Sequence, residues 1–219
     1  MHSTPHEIGS LMTSETWSLR KVFSQSYFKP KTWHYWRTLA VCFFLASWMG
    51  HWMEVPYCGA MDVLFGIVDD NYATVLDPWW VPYRIYGYAA LVLNLVLEPF
   101  KEHFIRNRKT LWGAFIQVFL NTIALACILE LTFGLIINQP DANGVYPFWD
   151  NSNLPGNILG QAWIVNDVFI GLVIMFYLWI MFPFVSCFLK QIDQRVSNVI
   201  FVVLCVLFFA TTFGYYGFG

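Results

Sequence analysis

Charged residues are scarce in this sequence. Only 12% of the 219 residues are Asp, Glu, Lys or Arg, whereas 58% are hydrophobic. Because a soluble domain carries about 25% charged residues, the composition indicates a polytopic membrane protein. The net charge of −2 and the lack of a basic cluster give no indication that the chain binds nucleic acid.

The motifs of the common membrane enzymes are also missing. The chain has no HExxH, no GxSxG, no phosphate-binding P-loop and no cluster of histidines, which argues against an enzyme of the desaturase or rhomboid type. Without a nucleotide-binding motif, any coupling to ATP would need a partner chain. The five cysteines form no CxxC pair, and we interpret them as small buried hydrophobic residues.

Long apolar runs predict the fold class. A helix needs about 20 apolar residues to cross a bilayer core. We therefore predict an all-α membrane protein, a bundle of about five transmembrane helices with two long outer loops. The transmembrane domain is residues 38–219, and its predicted spans are approximately residues 38–57, 82–99, 111–137, 162–184 and 196–213. We find no internal repeat in the sequence.

Residues 1–37 form a separate N-terminal segment. Within it, Leu19, Val22, Phe23 and Tyr27 recur at helical spacing beside basic residues. This pattern predicts a short amphipathic helix that lies on the membrane surface. An ordinary flexible tail is the alternative.

Lys and Arg are missing from two of the predicted loops. Eleven of the twelve basic residues lie in the N-terminal segment and in the loops after the second and fourth helices. The positive-inside rule places those regions in the cytoplasm. We therefore predict a cytoplasmic N-terminus and, for five spans, a C-terminus outside.

The two outer loops, at residues 58–81 and 138–161, are long. Both are rich in Pro, Gly, Asn, Asp and aromatic residues. Loops of this length are usually functional or disordered, and their many aromatic residues argue against disorder. We expect them to form a cap over the outer end of the bundle.

Ionisable residues nevertheless lie inside the predicted helices. His51 and Glu54 are one turn apart in the first helix, Arg84 begins the second, Glu130 is in the third and Asp167 is near the start of the fourth. Such residues are expensive in hydrocarbon and usually mark a functional site. All of them fall near the outer interface, which predicts a polar site there.

This site has several interpretations. Arg84 could pair with Glu54 or Glu130 and only hold helices together. The carboxylates outnumber the basic groups, however, so a cation, a metal, a cationic substrate group or bound protons could complete the charge. His51 and Glu54 share one helix face and could bind a metal with Glu130, although a satisfied core histidine is the competing interpretation.

Four strings of residues resemble those of a known family. They are GHWME, PYRIYGYAA, LELTFG and FWDNSNLPGN, and in this order they resemble the bacterial CmpB-type family of ABC-transporter permeases over roughly residues 40–180. The matching positions include Gly50, Trp52, Glu54, Tyr83, Ile85, Tyr86, Gly87, Glu130, Phe133, Gly134, Trp149, Asp150, Ser152, Pro155, Asn157 and Gly160. His51, Arg84 and Asn151 depart from the family pattern, which has Trp, Pro and Tyr there.

The resemblance implies a permease-like subunit in the bacterial inner membrane, with an outward-facing polar site for a ligand or cation and no ATPase of its own. A partner membrane or ATPase subunit would dock on the basic cytoplasmic loops, such as Glu98–Thr110. An accessory or assembly subunit of a larger complex is the first alternative, and a membrane enzyme with a divalent metal at His51, Glu54 and Glu130 is the second. The predicted ligand-binding residues are His51, Glu54, Arg84, Tyr86, Glu130, Trp149, Asp150 and Asn157.

Overall fold

A computed structural model of the chain describes residues 25–66, 77–142, 144–147 and 149–217. The predicted amphipathic helix falls almost entirely on residues before 25 and therefore lies outside the described residues. Within the described part, all regular secondary structure is helical apart from one short β-hairpin.

Seven α-helical elements form five continuous helices in the described residues. Two of the five contain a π-helical segment: Leu93–Leu97 joins α2 to α3, and Tyr177–Met181 joins α5 to α6. The predicted fold class, an all-α protein with about five helices, is thus confirmed. The α-helical elements are α1 (Trp33–Phe65), α2 (Arg84–Val92), α3 (Glu98–Asn107), α4 (Leu111–Ile137), α5 (Ile164–Phe176), α6 (Phe182–Gln191) and α7 (Gln194–Tyr216).

Three of these helices are long and apolar enough to cross a membrane. They are α4, the continuous helix Ile164–Gln191 and α7. That α1 and the helix over residues 84–107 also cross the membrane stays a prediction. We call the end of the bundle that holds Arg84, Ile137 and Ile164 the outer end and the opposite end the inner end, following the predicted orientation.

The stretch Glu98–Thr110, which the sequence predicts to be a loop, is helical as far as Asn107. Pro99 lies in the first turn of α3, where a missing backbone N–H costs no hydrogen bond. Glu98, Lys101 and Ile105 share one face of α3, and all three are buried. The turn between α3 and α4 is therefore short, and Thr110 caps α4 by accepting from the backbone N–H of Gly113 at 3.0 Å.

The first outer loop is also shorter than predicted, because α1 continues to Phe65 with Pro56 inside it. The helix ends at Gly66, whose φ of 63° is the left-handed conformation that glycine adopts most easily.

The structure reveals an internal repeat of one helical hairpin. Gly87 of α2 packs against Phe43 and Ser47 of α1, and Gly171 of α5 packs in the same way against Phe119 and Ile123 of α4. In each hairpin a π-helical segment begins six residues after that glycine, and a proline follows in the first turn of the next helix. The first hairpin is therefore α1 with the helix over residues 84–107, and the second is α4 with Ile164–Gln191.

The two hairpins share only scattered identical residues, which explains why the sequence does not reveal the repeat. Equivalent positions also share their burial: Cys42 and Val118 are both buried in α1 and α4, as are Ile105 and Leu189 in α3 and α6. The identical pairs in the helices are Trp36 and Trp112, Phe43 and Phe119, Glu54 and Glu130, Gly87 and Gly171, Pro99 and Pro183, Phe100 and Phe184, and Phe104 and Phe188.

The hydrophobic core is concentrated in the inner half of the bundle. There α1 packs against α6 and α7, with Tyr35, Leu39 and Cys42 of α1 buried against Leu178 and Phe182. The outer half holds fewer buried apolar residues, and polar side chains meet there.

Candidate functional site

Glu54 and Tyr86 meet at the interface of α1 and α2. The Tyr86 hydroxyl donates to Oε2 of Glu54, with 2.5 Å between the oxygens. One turn below Glu54, Gly50 lies so close to the Tyr86 ring that a Cβ would overlap it. The glycine therefore sets the approach that brings the two predicted site residues into contact.

His51 is fully enclosed by the first hairpin. Its Nδ1 lies 2.7 Å from the carbonyl oxygen of Val81, so the ring donates a hydrogen bond to the backbone. The imidazole also stacks on Tyr83, with ring centroids 4.1 Å apart and planes 10° from parallel. These contacts are those of a satisfied core histidine.

No group of three His, Cys, Asp or Glu side chains that could hold a metal occurs among the described residues. The three metal candidates His51, Glu54 and Glu130 accordingly do not form one.

Arg84 does not join the carboxylates. Its side chain is exposed, and the guanidinium carbon lies 4.6 Å from the centroid of the Tyr216 ring in α7, a cation–π contact. The ion pairs with Glu54 or Glu130 that the sequence allows do not occur in the described part of the chain, where the sole ion pair joins Lys101 and Glu98.

Glu130 is held by groups at the start of α5. Its Oε2 accepts from the backbone N–H of Trp163 at 3.2 Å, and its Oε1 accepts from Nδ2 of Asn166 at 3.1 Å. Asn166 in turn accepts from the Tyr57 hydroxyl at 2.8 Å. This chain of hydrogen bonds joins α1 of the first hairpin to both helices of the second.

Asp167 lies beside this series of hydrogen bonds and is fully buried. Neither of its carboxylate oxygens has a hydrogen-bond donor among the described residues. The side chains of Glu130 and Cys127 lie close enough to interact with its carboxylate. Two carboxyl groups thus face each other with no basic side chain beside them. We call Tyr57, Glu130, Asn166 and Asp167 the outer polar cluster.

The second outer loop is attached to the end of α4 by a reciprocal pair of amides. Asn138 donates from Nδ2 to Oε1 of Gln161 at 3.0 Å, and Gln161 donates from Nε2 to the Asn138 carbonyl oxygen at 3.1 Å. Gly134 allows this approach, since a Cβ there would overlap the Gln161 side chain. Trp149 donates from Nε1 to the Gln161 carbonyl oxygen at 2.8 Å and closes the loop over the pair.

Asp150 and Asn157 shape the same loop. Oδ1 of Asp150 accepts from the backbone N–H of Ser152 at 2.8 Å, an Asx turn. Asn157 donates to the Leu154 carbonyl oxygen at 2.8 Å and accepts from the Gly160 N–H at 3.0 Å. Asn157 also begins a two-stranded hairpin, β1 (Asn157–Ile158) and β2 (Ala162–Trp163), which leads the chain into α5. Their contacts in the structure are those of turn-building residues.

Part of the outer polar cluster can be predicted from the sequence. Glu130 is a predicted site residue and Asp167 is predicted at the same depth, whereas Tyr57 and Asn166 are not predicted. The adjacent polar pair Asn166 and Asp167 near the start of an apolar helix is the signal that could have revealed them.

A second buried polar group at the inner end is also missed. Lys101 lies 2.7 Å from Oε1 of Glu98 and donates to the Leu178 carbonyl oxygen at 2.7 Å. Next to this pair, Asn94 donates to the Tyr177 hydroxyl, so the two π-helical segments are in contact. The spacing of Asn94, Glu98 and Lys101 along one helix face could have predicted this group.

Glu102 attaches the N-terminal segment to the inner end. Its Oε1 accepts from the backbone N–H groups of Tyr27 at 2.7 Å and Phe28 at 3.0 Å, and its Oε2 accepts from the Ser26 hydroxyl at 2.8 Å. Burial, aided by the contact with Cys187, raises the pKa of Tyr27 above its ordinary value.

A comparison of the chain with protein-family models finds a match that spans both helical hairpins. The match covers residues 41–214, which includes α2 to α6, most of α1 and α7, and the outer polar cluster. No curated protein and no solved structure matches the chain. The resemblance to the CmpB-type family is confirmed, and the chain belongs to the family described as "Putative ABC-transporter type IV".

Proposed function

We propose that this chain is a permease-like subunit of an ABC-type transport system, with an outward-facing polar site that takes a cation or the cationic group of a substrate. Its membership of an ABC-transporter family and its membrane-length helices fit a membrane subunit associated with transport. The observation that carries the choice of ligand is the fully buried Asp167, whose carboxylate faces Glu130 without a hydrogen-bond donor.

The balance of charge at the outer end supports a cationic ligand. Glu54, Glu130 and Asp167 lie on three different helices there, whereas Arg84 is turned away to the Tyr216 ring. A buried carboxylate is costly unless a positive charge or hydrogen-bond donors compensate it. A bound cation would supply the missing charge, and Glu130 and Asp167 would be its first ligands.

The site would be reachable from outside the membrane. Glu130 is seven residues from the end of α4, about 10 Å at 1.5 Å per residue. Asp167 is in the first turn of α5. This depth suits a site that opens towards the outer loops, with Trp149 and the amide pair of Asn138 and Gln161 forming part of its cover.

Energy would come from a separate ATPase subunit. The exposed basic residues Arg106, Arg108 and Lys109 lie around the short turn between α3 and α4, and Lys190 and Arg195 lie around the turn between α6 and α7. These two turns form a positively charged inner face on which an ATPase subunit would dock. As the docking surface for a partner, this inner face takes the place of the longer loop that the sequence predicts at Glu98–Thr110.

The test is to purify the full chain from its native membranes in mild detergent and to assay the sample for ATP hydrolysis, for co-purifying chains and for bound metal. We expect an ATP-hydrolysing partner. We also expect Glu130→Gln to reduce ATP turnover at least fivefold in reconstituted vesicles while the complex still assembles.

Other outcomes would contradict the proposal. A stable complex whose ATP turnover is the same in wild type and Glu130→Gln, or one without an ATPase, would indicate an accessory or assembly subunit. Stoichiometric metal that disappears in His51→Ala would indicate the metal enzyme instead.

A further inference from the structure

The internal repeat allows the two carboxylate regions to be compared position by position. Glu54 in α1 is equivalent to Glu130 in α4, since each follows the glycine-packing residue, Ser47 or Ile123, by seven positions. By the same correspondence His51 is equivalent to Cys127. Four positions before the packing glycine, the first hairpin has Tyr83, directly before α2, and the second hairpin has Asp167, in the first turn of α5.

In the first hairpin, the side chains at these equivalent positions form hydrogen bonds and ring contacts within the protein, without a bound ion or ligand. Glu54 accepts from the Tyr86 hydroxyl. His51 stacks on Tyr83 and donates to the Val81 carbonyl oxygen. An aromatic ring thus occupies the place that a carboxylate occupies in the second hairpin.

In the second hairpin, one carboxylate at these positions, that of Asp167, has no hydrogen-bond donor among the described residues. Both oxygens of Glu130 accept from N–H donors, so this carboxyl group has hydrogen-bond partners within the protein. Asp167 has no donor among the described residues, although it is fully buried. The groups that face this pair are Cys127 from α4, Tyr57 from α1 and Asn166 from α5, none of which carries a positive charge.

We propose that Asp167 and Glu130 bind one monovalent metal cation, with Na⁺ the representative ion. Carboxylate oxygens are the ligands that hard cations prefer. A single positive charge suits the site, because Glu130 already accepts from two N–H donors and only Asp167 lacks a donor among the described residues. The equivalent Glu54 in the first hairpin does not take part.

This inference rests on the proposed function only for the role of the cation in transport. Binding to the chain can be measured without any partner. A failed cation experiment would therefore leave the ATPase-partner test unaffected, and a missing ATPase would leave the cation site intact.

The experiment measures thermal unfolding of the purified full chain in NaCl, KCl and choline chloride at constant ionic strength. At a hundredfold excess over its Kd, we expect Na⁺ to raise the unfolding midpoint by about 5–10 °C relative to choline. The shift should disappear in Asp167→Asn and in Glu130→Gln. Glu54→Gln is the matched control from the equivalent position, and it should retain the full shift.

A shift with K⁺ in place of Na⁺ would still support a monovalent cation and would identify the ion. Two results would overturn the proposal: equal midpoints in all three salts, or a shift that persists in both Asp167→Asn and Glu130→Gln. If Asp167→Asn does not fold, equilibrium dialysis of radioactive Na⁺ against wild type and Glu130→Gln decides. We expect about one ion per wild-type chain and at least a tenfold lower affinity in the variant, and wild-type protein without bound ion would refute the site.

Discussion

Gly87 and Gly171 occupy the same position in two copies of one helical hairpin. Each lies where the second helix of its hairpin touches the first, and each is followed at the same spacing by a π-helical segment and a proline. Close helix contact through small residues is the usual packing in membranes, where apolar side chains gain little from leaving lipid. Equivalent positions at which the two hairpins differ, such as Tyr83 in the first and Asp167 in the second, therefore indicate where their roles differ.

The contact of Gly50 with Tyr86 predicts that Gly50→Ala destabilises the chain. A Cβ at residue 50 would overlap the Tyr86 ring, so α1 and α2 would have to separate or the ring would have to leave Glu54. Overpacking of this kind costs about 1–3 kcal/mol. For a chain of this size, the midpoint of thermal unfolding in mild detergent should fall by about 2–10 °C.

Gly59 of the same helix is the matched control, because a Cβ there has no other atom within 4 Å. Gly59→Ala should raise stability by about 0.5–1 kcal/mol, since alanine restricts the unfolded chain more than glycine does. Equal midpoints for Gly50→Ala and Gly59→Ala would show that the close packing of α1 on α2 is not rigid.

Lys101→Met should destabilise the inner end strongly. It leaves Glu98, which is fully buried, without its cation. Removal of one partner of a buried ion pair typically costs about 3–5 kcal/mol, whereas its replacement by two apolar residues is often neutral. The double variant Glu98→Met with Lys101→Met should therefore be more stable than Lys101→Met alone. Thermal unfolding of the three proteins and wild type is the measurement, and a double variant weaker than the single one would contradict this account.

The helical class and the number of helices can be predicted from the sequence. Backbone N–H and C=O groups in lipid must form hydrogen bonds within the protein, so an apolar run of membrane length forms a helix. The stretch after Glu98 is mispredicted for a related reason. Glu98, Lys101 and Glu102 look like a solvated loop in a hydropathy pattern. Inside the protein, however, Lys101 pairs with Glu98, and Glu102 accepts from the backbone N–H groups of Tyr27 and Phe28.

Contacts between distant residues at the outer end could not be predicted in the same way. Glu130 stands out as a charge in an apolar helix, whereas Tyr57 and Asn166 gain their roles only because the outer part of α1 packs beside the start of α5. Arg84 shows the opposite error. Its charge suggests a carboxylate partner, but the aromatic ring of Tyr216 in α7 is the group within reach.

Tyr86 and Glu54 should be energetically coupled. Tyr86→Phe removes only the hydroxyl that donates to Glu54, and a hydrogen bond to a charged acceptor contributes about 1.5–3 kcal/mol. In a double-mutant cycle, Tyr86→Phe should destabilise the Glu54→Gln protein less than it destabilises wild type. The coupling free energy between the two residues should be about 1 kcal/mol or more. Thermal unfolding of all four proteins measures it. Strictly additive losses would mean that the short contact does not contribute to stability.

Glu102→Gln should loosen the N-terminal segment without unfolding the bundle. The glutamate accepts from two backbone N–H groups and the Ser26 hydroxyl, and the neutral amide replaces one of its two acceptor oxygens with a donor. Limited trypsin digestion is a suitable measurement, since Lys31 is exposed and directly precedes the Thr32 cap of α1, whereas Pro30 blocks cleavage after Lys29. Loss of about 1.5–3 kcal/mol of local stability should increase the rate of cleavage after Lys31 by roughly tenfold or more. His103→Gln, at the exposed neighbouring position, should cleave like wild type, and an equal rate in Glu102→Gln would show that Glu102 does not hold the segment in place.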